Sequence, residues 1–308
     1  TAPCATTTMR ARCPRGEAMS LLLPTIGSGL VTASILALAA VGFTLQFSVT
    51  GVVNFAFGDL MTLAAYIAWL LNTGLHWNLW VGAAGGMSFL AIASVLMNRL
   101  LLQPFIRKRT DLFGLLIVTF AFGLIVQNAL QAVFGPAFQS YVYPPSPSVN
   151  ALDMTFTVNQ LIIVALSLAV MALVHALLRY TRVGKAMRAL ADDPALARAC
   201  GIKVGRITDL AWLISGALAG LAGFVLVLNT AAFSPATGEG FLLVIVAAAV
   251  LGGVGRPYGA MLGALVIGLV TEVSVIVIPA EDKSVAAFVI LVLVLLLRPQ
   301  GIIAAARG

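Results

Sequence analysis

The sequence predicts an all-α fold, a polytopic transmembrane bundle of about eight to nine helices, and three observations predict it. Of 308 residues, 61% are hydrophobic and 9% charged, with a mean hydropathy of +1.05. A soluble domain carries about 25% charged residues to face water. The apolar residues fall in blocks of about 20, the length that crosses a hydrocarbon core of about 30 Å. Lysine and arginine gather in alternate loops between those blocks.

Residues 1–18 are polar and Thr-rich, with Arg10, Arg12 and Arg15. They read as a leader, non-native or disordered, with Met19 as the expected start of a single transmembrane domain over 19–308. Predicted spans one to four cover residues 21–47, 52–71, 79–101 and 112–134. A polar, proline-containing loop follows over 135–156. Span five covers 158–178, a basic loop runs over 179–206, and span six covers 207–231. The apolar stretch 241–278 exceeds one helix, and Gly252-Gly253-Val254-Gly255-Arg256-Pro257 breaks it into spans seven and eight. The last block, 285–297, reaches full length if its helix starts at Pro279, with Glu281 and Asp282 in the first turn, Arg298 at its other end, and Pro299 stopping it. Small residues recur four apart at Gly82/Gly86, Gly216/Gly220, Ala219/Gly223 and Gly259/Gly263, a pattern that lets helix backbones approach in lipid.

Outside the leader, one set of loops holds fourteen basic residues and the alternating set holds Lys283 alone. That bias puts the 179–206 loop in the cytoplasm. Nine spans then place Met19 outside and Gly308 inside. The net charge of +7 is therefore topological, and basic patches interleaved with aromatics, as in a nucleic-acid binder, are absent. Cys4, Cys13 and Cys200 form no C-x-x-C pair, and His76 and His175 are isolated, so no metal site is predicted.

Within the basic loop, Arg179, Arg182, Lys185 and Arg188 recur every three residues, as on one face of a helix continuing from span five. Asp193 is placed to cap a second, short helix, Pro194 fits its first position, and Gly201 suits the left-handed residue after its end. A mere connector needs no such helix. The alternative is a solvated basic loop facing anionic lipid.

These residues carry a resemblance. Gly184-Lys185-Ala186-Met187-Arg188-Ala189-Leu190-Ala191-Asp192-Asp193-Pro194, with Gly201-Ile202, resembles the coupling loop of LivH-type permeases of branched-chain amino-acid ABC transporters. Gly51-Val52-Val53-Asn54-Phe55-Ala56-Phe57-Gly58-Asp59 resembles that family's second-helix signature, although the family usually has His and Glu where this chain has Phe57 and Asp59. Ala249 to Gly255, Gly259 to Gly263, and Arg298-Pro299-Gln300-Gly301 match as well. The similarity spans about residues 21–303.

The resemblance implies a permease subunit of an ATP-driven importer in the bacterial inner membrane. Its cargo would be branched-chain or hydrophobic amino acids, or related small amphipathic solutes. Implied partners are a second LivH/LivM-type permease, two cytoplasmic ABC ATPase subunits, an extracytoplasmic solute-binding protein and membrane lipid. No cofactor is expected on this chain. It contains no G-x-x-x-x-G-K-[ST] phosphate loop, so ATP and magnesium belong on the partner subunits. Arg188, Asp192, Asp193, Pro194, Ala197 and Gly201 are the expected ATPase-coupling residues. Asn54, Phe55, Phe57 and Asp59 are the candidate translocation-pathway residues, since polar groups within the membrane face protein or a water-filled path. Asn54 has a second reading, a polar packing contact. Glu239 is a candidate contact for the binding protein, and Glu272 reads as structural. The competing class is an ion-gradient-driven transporter or channel using Asp59 and Glu272. An enzyme finds no support, because no Ser/His/Asp set or paired carboxylates occur at usable spacing.

Overall fold

A computed structural model describes residues 15–108, 110–142, 148–151, 154–276 and 283–297. Helix α1 (Arg15–Thr50) is followed by α2 (Phe57–Trp69), α3 (Leu79–Met97), the short α4 (Gln103–Arg107) and α5 (Leu112–Phe134). A two-stranded antiparallel hairpin, β1 (Ser148–Ala151) and β2 (Met154–Thr157), precedes α6 (Val158–Tyr180). Then come α7 (Arg182–Asp192), α8 (Pro194–Ala199), α9 (Val204–Thr230), α10 (Thr237–Gly252), α11 (Pro257–Ser274) and α12 (Lys283–Leu297).

Apolar periodicity decides which helices are central. α9 is buried almost continuously from Ser215 to Leu228, as expected of a helix apolar on every side. It packs on α1, α2 and α3, while α1 also packs on α6, α10 and α11. The outer helices α3, α5 and α6 instead expose Ile92, Phe113, Ile125 and Leu173, which is costless against lipid tails. Among the described residues, six helices are long and apolar enough to cross a membrane, at 24–50, 79–107, 112–134, 158–180, 204–230 and 257–274. α2 and α10 have 13 and 16 residues, too short to cross alone.

The small-residue pattern marks the closest crossings. A Cβ at Gly82 or Gly86 would meet the α2 backbone, at Gly216 or Gly220 the α3 segment, and at Gly259 or Gly263 the α10 backbone. α3 and α9 are further tied near the basic face. The buried Asn98 donates to Asp209 Oδ1 at 3.0 Å, and Arg99 pairs with Asp209 Oδ2 at 2.7 Å. Such a polar tie between spans satisfies groups that lipid leaves unpaired.

Three details depart from the sequence reading. The 135–156 loop contains the β hairpin, and its residue Gln139 pairs with Phe233 beyond α9. Tyr141 from the same loop donates to the Ala65 carbonyl at 3.2 Å, closing the outer ends of α2 and α9. Helix α7 does not continue α6, so Arg179 lies apart from Arg182, Lys185 and Arg188. Thr181 is extended, and its hydroxyl accepts the Gly184 N–H at 3.0 Å, so a new helix begins there. The predicted start of the last helix at Pro279, and its stop at Arg298-Pro299, lie outside the described residues.

Candidate functional site

The basic face carries a preformed protrusion built from α7 and α8. Gly184, Met187 and Leu190 are buried against the bundle, leaving Arg182, Lys185 and Arg188 on the outer face. α7 touches α1, α6 and α9. Asp193 then caps α8, its Oδ1 accepting the N–H groups of Ala195 at 2.8 Å and Leu196 at 3.0 Å, and Pro194 follows. Gly201 closes the unit with φ +81°, a left-handed conformation costly to any residue with a Cβ. Arg188 and Asp192 border a cavity of about 270 Å³ beside Arg256 of the α10–α11 turn and Tyr258 in the first turn of α11. Ala197 is buried within the bundle, whereas Leu196 points outward and is 62% exposed. Leu196 is an exposed large apolar residue on this face that the expected coupling set did not include. Its signal was present, as the one large aliphatic in an otherwise small or charged segment.

A second site forms where the two short helices meet. α2 begins after a non-helical segment, 51–56, that ends in a turn, and runs away from the basic face; α10 begins after 231–236 and runs toward it, ending at the Gly252–Arg256 turn. Their first turns cross at Gly58 and Gly238, so closely that a Cβ on either would overlap the other's carbonyl. Broken helices of this kind place backbone ends and polar side chains at membrane depth, which is tolerated where they are buried in protein or line a cavity.

The crossing brings together residues far apart in sequence. Asp59 lies against Gly123, the middle residue of α5, and is 7% exposed. Its Oδ1 is buried without a hydrogen-bond partner. Glu239, in the first turn of α10, acts electrostatically on Asp59 and accepts a hydrogen bond from Gln127 of α5 at 3.0 Å. Phe55 stands edge-to-face with Phe120 of α5 at 6.5 Å, beside this cluster. Phe57 is instead buried against Phe43, with ring centroids 5.6 Å apart. Asn54 is buried too. Its Oδ1 accepts the Ala56 N–H at 3.1 Å, its Nδ2 approaches Gln46 of α1 at 3.5 Å, and Gln46 also accepts from Ser215 of α9. Asn54 thus fixes where α2 starts. Glu272 accepts from Thr32 at 2.9 Å between α11 and α1.

Residues 25–297 match the family described as branched-chain amino acid transport system / permease component. The chain belongs to this family. The permease is 30% identical over 290 residues to the high-affinity branched-chain amino acid transport system permease protein LivH of Escherichia coli strain K12, across 90% of this chain and 93% of that one. It is 31% identical over 294 residues to the corresponding protein BraD of Pseudomonas aeruginosa, across 90% and 94%. Among solved structures, PsaBC from Streptococcus pneumoniae in complex with Fab superposes with a TM-score of 0.51 at 15% identity, over 92% of this chain and 96% of that one. The fold is therefore a transmembrane bundle of the ABC importer permease type, and the permease is a multi-pass transport subunit.

Proposed function

We propose that this chain, an ABC importer permease, moves branched-chain or other hydrophobic amino acids, or related small amphipathic solutes, across the bacterial inner membrane. Its energy comes from two ATPase subunits that bind ATP and magnesium at the cytoplasmic face. An extracytoplasmic binding protein delivers the cargo, and a second permease of the LivH/LivM type completes the assembly. The observation that carries this reading is the α7–α8 unit. It is helical, capped at both starts, anchored by buried Met187 and Leu190, and presents Leu196 and three basic residues outward. A rigid handle of this kind passes motion from a soluble motor to the bundle. The motor shifts the inward–outward equilibrium only through differential contact with the two states.

The translocation path follows the α2–α5–α10 face. Glu239 is exposed there on the single chain, bonded to Gln127 one turn beyond the middle of α5. A carboxylate at that depth faces water or protein rather than lipid, and a second permease subunit across this face supplies both. Asn54 and Phe57 set the geometry of the path from within the bundle, and Phe55 borders it.

Uptake by the reconstituted assembly tests this reading. L-leucine accumulation is expected to survive a protonophore and to stop when the ATPase subunits are inactivated. Accumulation that collapses with the proton gradient, and persists with inactive ATPases, sinks the importer in favour of an ion-coupled carrier.

A further inference from the structure

We infer that Asp59 and Glu239 form an ammonium-recognition site midway along the path, one that holds the positively charged amino group of the cargo while Phe55 and Phe120 take its aliphatic part. The inference rests on the importer reading and adds to it the point where the chain itself touches cargo. Two carboxylates at the crossing of α2 and α10 could be explained as neutralising those helix starts, but the geometry of Asp59 argues against that. α2 has no side-chain cap, and Asp59 Oδ1 is buried with no hydrogen-bond partner at all. A buried carboxylate oxygen left so is costly, and more so when the group is charged. Such an oxygen calls for a donor from outside the chain, and a visiting ligand supplies one.

The surroundings specify that donor's chemistry. Asp59 is over nine-tenths buried and lies against Gly123, where any side chain would occupy the carboxylate's place. Glu239 adds a second carboxylate: it follows Gly238 as Asp59 follows Gly58 at the helix crossing, and it is held by the Gln127 amide, one turn along α5 from Gly123, at 3.0 Å. None of α2, α5 and α10, which form the site, carries a lysine, arginine or histidine. A cation is therefore wanted and no side chain of these helices provides it. The neighbouring surface is apolar, with Phe55 against Phe120, one turn from Gly123 along α5, and Leu242 beside Gly58. An ammonium group attached to a short aliphatic chain fits both halves, because three N–H donors meet two carboxylates and the hydrocarbon meets the aromatic edge.

The experiment uses the complete assembly in proteoliposomes, with L-leucine as probe and the variants Asp59→Asn, Asp59→Glu and Glu239→Gln. Asp59→Asn is expected to lower the maximal uptake rate about tenfold or more, the loss of one charge-assisted hydrogen bond. The half-saturating leucine concentration should stay constant, because the binding protein sets it. Co-purification of the ATPase subunits should be unchanged. Asp59→Glu keeps the carboxylate and retains most of the uptake. Glu239→Gln alters an exposed group that still bonds Gln127, so its fold is secure, and its uptake is expected to fall in the same direction. Wild-type uptake rates in Asp59→Asn and Glu239→Gln overturn the site. ATP-driven import by the wild type of cargo without an amino group, with leucine excluded, overturns the ligand class and leaves the importer standing. Leucine uptake independent of ATP overturns the importer reading instead.

Discussion

Leu196→Asp is expected to strip the ATPase subunits from the permease while leaving the bundle inserted and folded. Leu196 is 62% exposed on α8, so nothing inside the chain depends on it. Burying such a side chain in a partner's groove is worth about 1.5–3 kcal/mol. A carboxylate in its place forfeits that burial and must also be desolvated. The combined loss is about 2–4 kcal/mol, or roughly 30- to 1,000-fold in affinity. Interfaces concentrate their energy in a few central anchors, and α8 offers one large apolar side chain for that role. The readout is co-purification of the ATPase subunits with the detergent-extracted permease, alongside its thermal unfolding. Undiminished co-purification places the motor's grip elsewhere.

Gly238→Val attacks the other site, and its effect falls on the fold itself. A Cβ at residue 238 would overlap the Gly58 carbonyl and the Thr62 hydroxyl of α2. Backbone is not free to swing aside as a long side chain is, so the two short helices must separate. Overpacking of this kind costs about 1–3 kcal/mol for ordinary cores, and the added branched methyls at a backbone contact put this variant at or above the upper end. Separation also displaces Asp59 from Gly123 and Glu239 from Gln127, so stability and uptake are expected to fall together. Gly240→Ala is the matched control, because a Cβ there meets nothing within 4 Å. Equal melting temperatures for Gly238→Val and Gly240→Ala contradict the close crossing of α2 and α10.

Most of this architecture is legible in the sequence because lipid imposes a simple rule on it. Every backbone group must be bonded within a helix, so span length and apolar composition mark the elements. The break at Gly252 to Pro257 and the Asp193-Pro194 start of α8 are legible for local reasons, since both depend on residues adjacent in the chain. The small-residue pairs announce close crossings without naming the partner helix, which only packing decides. The break between α6 and α7 is not legible because threonine serves equally as a span residue and as a cap; the hydrogen bond from Gly184 to Thr181 decides between them. Asp59 and Glu239 stand 180 residues apart, and no periodicity or spacing links them. Their meeting depends on two helices too short to span, each starting inside the bundle, and Asn54 fixes the start of one through bonds that hydropathy does not encode.

Cys200 offers the most direct test, because it is an exposed free thiol at the end of α8. With Cys4 and Cys13 replaced by serine, a membrane-impermeant maleimide is expected to label Cys200 in inside-out vesicles and not in intact spheroplasts. Bound ATPase subunits should shield it. Labelling from the outer surface, or labelling indifferent to the ATPases, would contradict a cytoplasmic handle held by a motor.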